Sequence, residues 1–293
     1  MRIFSVASLF AGAIGIAAIP AAVFAQQEQG RDVTVWNWDG RVDSGHWFNL
    51  SNVNGSVTID PSRDNSVHVR AEKFPHDDGD IRDVRFVVIQ NGGDVRICAL
   101  NKENDRCDED GLHSYGDDDD RRGRRRDHNV EVRFTVQVPR GVRVGAGTVN
   151  GSMRVSGTGA EVRAGTVNGG VEVNDAGGPV KAATVNGNVR VTTSAGPVSA
   201  STVNGSISAR MGNLSRDGDM KFSTVNGTIT VETPPSLDAN ISIDTMHGGI
   251  SSDFPVQLSG RFGPRHAEGV IGRGGRRISM NTVNGSVELI KIR

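Results

Sequence analysis

Two cysteines, a run of aspartates and one histidine inside a repeated phrase are the residues whose types could do chemistry in this chain. Cys98 and Cys107 are its only cysteines. So close a pair reads as a disulfide in a chain that leaves the cytoplasm. Closing a loop of that size is worth roughly 2–3 kcal/mol in the chain-entropy view. As thiol ligands they would be half a metal site, because no paired His lies nearby. Asp117 to Asp120 suggests calcium, but an Asp-x-Asp-x-Asp-Gly loop with a distal Glu is missing. Arg121, Arg122, Arg124, Arg125 and Arg126 follow directly, so residues 101–128 read as a solvated charged insert. A second basic segment holds Arg261, Arg265, Arg273, Arg276 and Arg277, suited to anionic glycans or headgroups or simply to solubility.

His247 stands where other copies of the phrase carry Asn, and reads as a turn substitution rather than a base or a ligand. Gly-x-Ser-x-Gly, His-Glu-x-x-His and Gly-x-x-x-x-Gly-Lys-Ser/Thr do not occur. The alternating segments carry no converging acid pair of the kind that cleaves polysaccharides. No catalytic, cofactor-binding or metal residue is therefore assigned. A glycan-acting enzyme on a β-helix scaffold is the alternative held against a non-catalytic reading.

The elements that must position these residues announce themselves by repetition. Thr-Val-Asn-Gly recurs with its Asn-Gly pair at Asn150 and Gly151, Asn168 and Gly169, Asn186 and Gly187, Asn204 and Gly205, Asn226 and Gly227, and Asn284 and Gly285. The first four copies step by 18 residues. A short fixed period means stacked structural units that bury an apolar face on one another. Within one period Val162, Ala164 and Thr166 share a parity, and Val171 and Val173 begin a second alternating run. Gly157 to Gly159, Ala176 to Gly178 and Ala195 to Pro197 punctuate between such runs. Each period is thus two short strands and two turns, with Val162, Val180 and Val198 forming an inward column.

The expected fold is all-β: a parallel β-solenoid of two-strand rungs of about 18 residues, with an N-terminal β-rich cap. The corner positions at 150, 168, 186, 204, 226, 247, 268 and 284 predict consecutive rungs in chain order, about 35–40 Å of stack at strand spacing. Arg154, Glu172 and Arg190 fall on equivalent outward places, and the corner Asn amides are placed to form a ladder. The solenoid region is read as 140–293 and the cap as 32–139. Asn54 and Gly55 are a lone early copy, and Asn91-Gly92-Gly93 is a hairpin turn. Trp36, Trp38 and Trp47 all lie in the cap, where aromatic packing is their expected role.

Net charge is -1 over 293 residues, which gives no global attraction to nucleic acid or an anionic membrane. Residues 1–25 read as a cleaved signal peptide. Arg2 precedes an apolar run, and Val23-Phe24-Ala25 is a small-residue cleavage pattern. An uncleaved anchor competes, but Pro20 and the cleavage pattern favour removal. No second long apolar segment follows, so no transmembrane segment is expected after cleavage. The expected location is the periplasm or the cell surface.

A once-per-rung Thr array could order water, but its neighbouring column is Ala146, Ala164, Ala182, Ala200 and Phe222. A second Thr rank is missing, so hydrogen bonding at the corner is the plainer role.

Several features together resemble the bacterial exported β-strand-repeat family often labelled adhesin-like. They are the export signal, Val53-Asn54-Gly55-Ser56-Val57, the lead-in Val136 to Val142, the repeats and the final Asn281 to Val287. The resemblance implies the solenoid fold and an envelope or surface scaffold that binds a protein or a glycan. It implies no catalytic residue and no cofactor.

Overall fold

The computed structural model describes residues 27–113, 129–214, 218–259 and 265–292. The signal segment 1–25, and with it most of the export reading, lies outside them. So do Asp117 to Asp120, the arginines that follow, and Arg261.

Two long sheets face each other across a thin aliphatic core. In the first, Trp47–Ser51, Arg143–Gly147, Val162–Gly165, Val180–Ala183, Val198–Ser201 and Met220–Ser223 stack in parallel. In the second, Val57–Pro61, Met153–Ser156, Val171–Ala176, Val189–Thr193, Ile207–Met211 and Ile229–Thr233 do the same. Equivalent residues lie directly over one another. Val144 pairs with Val162, Val162 with Val180 and Val180 with Val198. All four are at most 2 % exposed, so the parity read from sequence is the parity of the core. Full burial stabilises each such Val by about 1.5–3 kcal/mol relative to exposure. The wall opposite is equally dry, with Val171, Val173, Val189, Val191, Ile207 and Ile229 buried.

The corners carry the period. Each corner Asn donates from Nδ2 to Oδ1 of the Asn one level below. Asn150 reaches Asn54 at 2.7 Å, Asn168 reaches Asn150 at 2.8 Å, and Asn186 reaches Asn168 at 2.9 Å. Asn204, Asn226 and Asn284 continue the ladder at 2.8 to 2.9 Å. The Thr that opens each phrase points inward, and its hydroxyl donates to the corner Gly carbonyl of the level below. Thr184 reaches Gly169 at 2.9 Å and Thr202 reaches Gly187 at 2.9 Å. The first rung has Asn52 in that slot. Its Nδ2 donates to Gly55 O and, toward the cap, to Val132 O.

The glycines are dictated by proximity. A Cβ on Gly187 would sit 2.0 Å from Gly169 O, and one on Gly205 1.9 Å from Gly187 O. Gly151, Gly169, Gly227 and Gly285 meet the carbonyl below them at 2.0 to 2.2 Å in the same way.

The order of levels differs from chain order at both ends. Asn284 stacks on Asn226, not on a corner at 247 or 268. Arg276–Asn284 pairs in parallel with Met220–Ser223 on one side and with Ala239–His247 on the other. Val287–Lys291 likewise lies between Ile229–Thr233 and Ile250–Ser252. The expectation of consecutive rungs is therefore corrected: the last copy inserts beneath the 239–252 level. Glu268-Gly269 is no corner, because Arg265–Ile271 runs antiparallel to Ala239–His247 with Gly269 opposite Ile241.

At the other end the early copy is the first true rung. Trp47–Ser51 and Val57–Pro61 are sandwiched between the 143–156 level and the parallel strands Asp94–Leu100 and Val130–Val138. The parallel stack thus reaches well before residue 140. Antiparallel strands Val67–Pro75 and Arg85–Asn91 cover that end, the latter joined to Asp94–Leu100 through Gly92 and Gly93 at positive φ.

Trp36 stacks on Phe86 at 4.5 Å, and Phe86 meets Phe134 edge-on at 5.8 Å. Beside them Lys73 is buried. Its Nζ donates to the carbonyls of Gly30, Arg31, Ile81 and Val84 at 2.6 to 3.1 Å. Burial pushes this ammonium down to about 8, while the carbonyls around it compensate the charge.

Two glycine substitutions separate steric need from mere smallness. Gly187→Ala drives a methyl into Gly169 O and is expected to cost about 3 kcal/mol or more. Gly165→Ala meets nothing closer than 3.7 Å and should change stability by less than about 0.5 kcal/mol. Urea unfolding of the two variants checks this, and equal midpoints would refute the corner account.

Candidate binding face

The outer surfaces of the two sheets are dressed differently. On the second sheet, outward charges of opposite sign are stacked in register. Arg154 pairs with Glu172 at 3.0 Å and Arg210 with Glu232 at 2.7 Å. Asn174 and then Arg154 hold the Glu172 carboxyl below its usual range. Arg190 lies one level above Glu172, completing the alternation expected from sequence.

The first sheet is compensated only in part. Along its outward positions Arg143, Arg163, Lys181, Lys221 and Arg277 are set against Glu161 and Asp219. Glu161 is taken by Arg163 at 2.8 Å. Lys181 and Lys221 are exposed and have no ion-pair partner among the described residues. Arg143 and Arg163 flank the Trp47 ring, their guanidinium carbons 5.7 and 4.4 Å from its centroid. Trp47 is thus half-buried on this outer face, not packed inside the cap as expected for all three tryptophans.

Next to the basic column runs a column with almost no side chains: Ser51, Gly147, Gly165, Ala183, Ser201 and Ser223. A Cβ on Gly147 would meet nothing nearer than 4.0 Å. Neither Gly147 nor Gly165 has the left-handed backbone that would demand glycine. The fold does not need them there, so the low floor is a property of the surface.

Beyond it stands the second residue of each phrase. Val149, Val167, Val185, Val203 and Val225 are each 39 to 40 % exposed and form an apolar ridge beside the Asn ladder. Met246 closes the same row at the far level. The result is a shallow trough crossing the strands, with cations on one side, Gly/Ala/Ser below and valines on the other.

Both ends of the trough are built up. At one end Cys98 points outward and is bonded to Cys107. With Val87, Ile89, Leu100 and Leu112 the disulfide makes a small second core on the outside of the sheet. Arg85, buried, donates to the carbonyls of Lys102, Glu103 and Asp105 and anchors the segment that carries Cys107. At the other end a groove of about 910 Å³ is lined by Asn240, Ser242, Glu268, Val270, Arg277 and Ser279 among others. Ser279 continues the Lys221 column, so groove and trough are continuous.

The predicted corner residues Asn54, Gly55, Asn150, Gly151, Asn168, Gly169, Asn186, Gly187, Asn204, Gly205, Asn226, Gly227, Asn284 and Gly285 form one edge of this face as a single ladder. His247 lies opposite Asn284 at the end of that ladder. No group of three or more His, Cys, Asp or Glu among the described residues is arranged to hold a metal ion. No helix among them is long and apolar enough to cross a membrane. The outward cations were visible in sequence as alternating residues. The missing signal was that Lys181 and Lys221 lack partners while Arg154 and Glu172 do not, which requires knowing both sheets.

No family model and no curated protein matches this chain. Solved structures do align with it, among them two named for adhesion. One is provisionally named an adhesin, from Bacteroides fragilis NCTC 9343, at 13 % identity and a TM-score of 0.44, covering 88 % of this chain and 97 % of that one. The other is provisionally named a cell adhesion protein, from Clostridium sporogenes ATCC 15579, at 9 % identity and a TM-score of 0.36, covering 88 % and 100 %. At these values neither decides what this chain binds.

Each end of the stack also carries a histidine held between carboxylates. His68 meets Asp39 at 2.5 Å and Asp64 at 3.0 Å, tying the edge strand Val35–Gly40 to its neighbour. His266 meets Asp244 at 2.6 Å and Glu268 at 3.0 Å, tying Arg265–Ile271 to Ala239–His247. Hydrogen bonds to Asp39 and then Asp64 raise His68 above its ordinary value, and those to Asp244 and then Glu268 raise His266. A folded-state pKa raised above about 6.5 gives stability that is complete below that value and is lost as pH rises through the shifted one. Hydrogen exchange of the two end strands is therefore expected to speed up as pH is raised from 6 to 8, after correction for intrinsic rates. His68→Asn with His266→Asn should flatten that trend. An unchanged slope in the double variant would refute the assignment.

Proposed function

We propose that this chain is a non-catalytic, exported, adhesin-like scaffold that holds an extended envelope or surface ligand along the outer face of its first sheet. One observation carries the reading. The two sheets share a core and a period, yet Arg154 and Arg210 on the second are each paired with a carboxylate of the next level, whereas Lys181 and Lys221 on the first have no ion-pair partner among the described residues and lie beside a floor that includes Gly147 and Gly165, which the backbone does not require. Selection for stability alone has no reason to treat the faces differently.

Export is supported by the N-terminal pattern of residues 1–25 and by the Cys98–Cys107 disulfide, which persists in oxidising compartments. The adhesin-like role rests on the repeat resemblance together with this face. A flat trough many levels long suits a ligand engaged at many weak points, whereas enzymes concentrate converging groups in a deep pocket.

Binding of the purified protein to isolated cell envelopes tests the face. Gly165→Glu with Lys181→Glu, which fills and recharges the trough without touching the core, should reduce bound protein about tenfold or more. Arg190→Glu on the second sheet should leave binding within about twofold. Equal loss from both variants, or from neither, would sink the proposal.

A further inference from the structure

We propose that the ligand of this trough is an anionic linear polysaccharide of the polyuronate class, lying along the stack with about one sugar per level. This rests on the binding-face reading and adds the chemistry of the occupant.

Direction comes first. The trough follows the stacking axis and crosses the strands. Every level therefore presents the same set of outward positions at about 4.8 Å intervals. A pyranose ring advances a linear polysaccharide by nearly that distance. An extended peptide advances about 3.3 Å per residue and turns a side chain to one face only about every 6.6 Å, so it cannot place one residue on each level. Peptides commonly gain affinity by adding a strand to a sheet edge. On this face the backbone groups are already spent in the parallel ladders, so that mode is closed.

Charge comes second. Lys181 and Lys221 share one outward column, two levels apart, with Ser199 between them. Arg143 and Arg163 extend the cationic side toward Trp47. Arg163 shares its charge with Glu161, but Lys181 and Lys221 have no ion-pair partner among the described residues, unlike Arg154 and Arg210 on the opposite sheet. A ligand carrying a carboxylate on each repeat would meet a cation at most levels.

The floor and ridge complete the match. Ser199, Ser201 and Ser223 supply hydroxyl donors and acceptors for ring hydroxyls, and Gly147 and Gly165 let a flat ring approach the sheet. The valine ridge offers an apolar surface to the C–H face of each sugar. A polynucleotide or a bare polyanion would use the cations and leave the ridge and floor idle.

The test is calorimetric titration of the full chain with sodium polygalacturonate, against poly-glutamate of matched charge and a neutral glucan. Tight binding of polygalacturonate alone is expected, with affinity rising as oligomers lengthen to about seven sugars, the length of the trough. Lys181→Glu with Lys221→Glu should weaken it about tenfold or more, and Val185→Ser with Val203→Ser should weaken it without changing its salt dependence. Arg154→Glu with Glu172→Arg, which keeps the second-sheet pair, should leave it unchanged. Circular dichroism confirms that each variant is folded. Poly-glutamate binding as tightly as polygalacturonate would overturn the assignment in favour of charge alone. So would polygalacturonate binding that ignores the trough variants. Failure of every polyanion, with envelope binding still abolished by the Gly165→Glu and Lys181→Glu pair, would discard the polyuronate and leave the binding face standing.

Discussion

The tight approach of each corner glycine to the carbonyl beneath it governs this molecule. Because Gly169 and Gly187 carry no Cβ, their levels can close to strand distance at the turn as well as along the strands. That closeness brings Thr184 within 2.9 Å of Gly169 O and Asn186 within 2.9 Å of the Asn168 side chain. It also keeps the inward valines in columns and the outward residues in files. One steric fact at the corner therefore fixes the register of the core and the regularity of both surfaces.

The stack itself was legible in sequence because four copies of the phrase share one spacing, and a constant period leaves little choice of neighbour. The order of the later copies was not, since spacing there is irregular and periodicity is blind to which level lies next to which. A physical signal was nevertheless present. An amide ladder needs Asn beside Asn, and the complete copies at Asn226 and Asn284 do lie side by side, while His247 falls outside them. The same rule draws Asn54 into the ladder across a long excursion of the chain. Lys73 went unread, although Val67, Val69, Ala71 and Lys73 alternate and so place a lysine on the inward side, where it meets carbonyls.

The candidate binding face was only half visible. Outward residues could be named from parity, but whether a cation is answered by a carboxylate depends on stacking across levels. On the second sheet it is, at Arg154 and Glu172 and again at Arg210 and Glu232. On the first, Arg163 is partly answered and Lys181 is not. Two surfaces built on one core have thus diverged, as is expected when one serves stability and the other meets a partner.

The placement of Arg276–Asn284 and Val287–Lys291 between levels made earlier in the chain bears on how the rod is completed. A chain that folds from its amino end can wind level upon level from residue 143 through residue 233. It must then hold residues 239–271 in waiting, since their parallel partner has not yet emerged. Completion is a single late event in which the trailing segment slides home. Until then the unfinished rod keeps an open end with unpaired strand edges, ready to pair with a second chain.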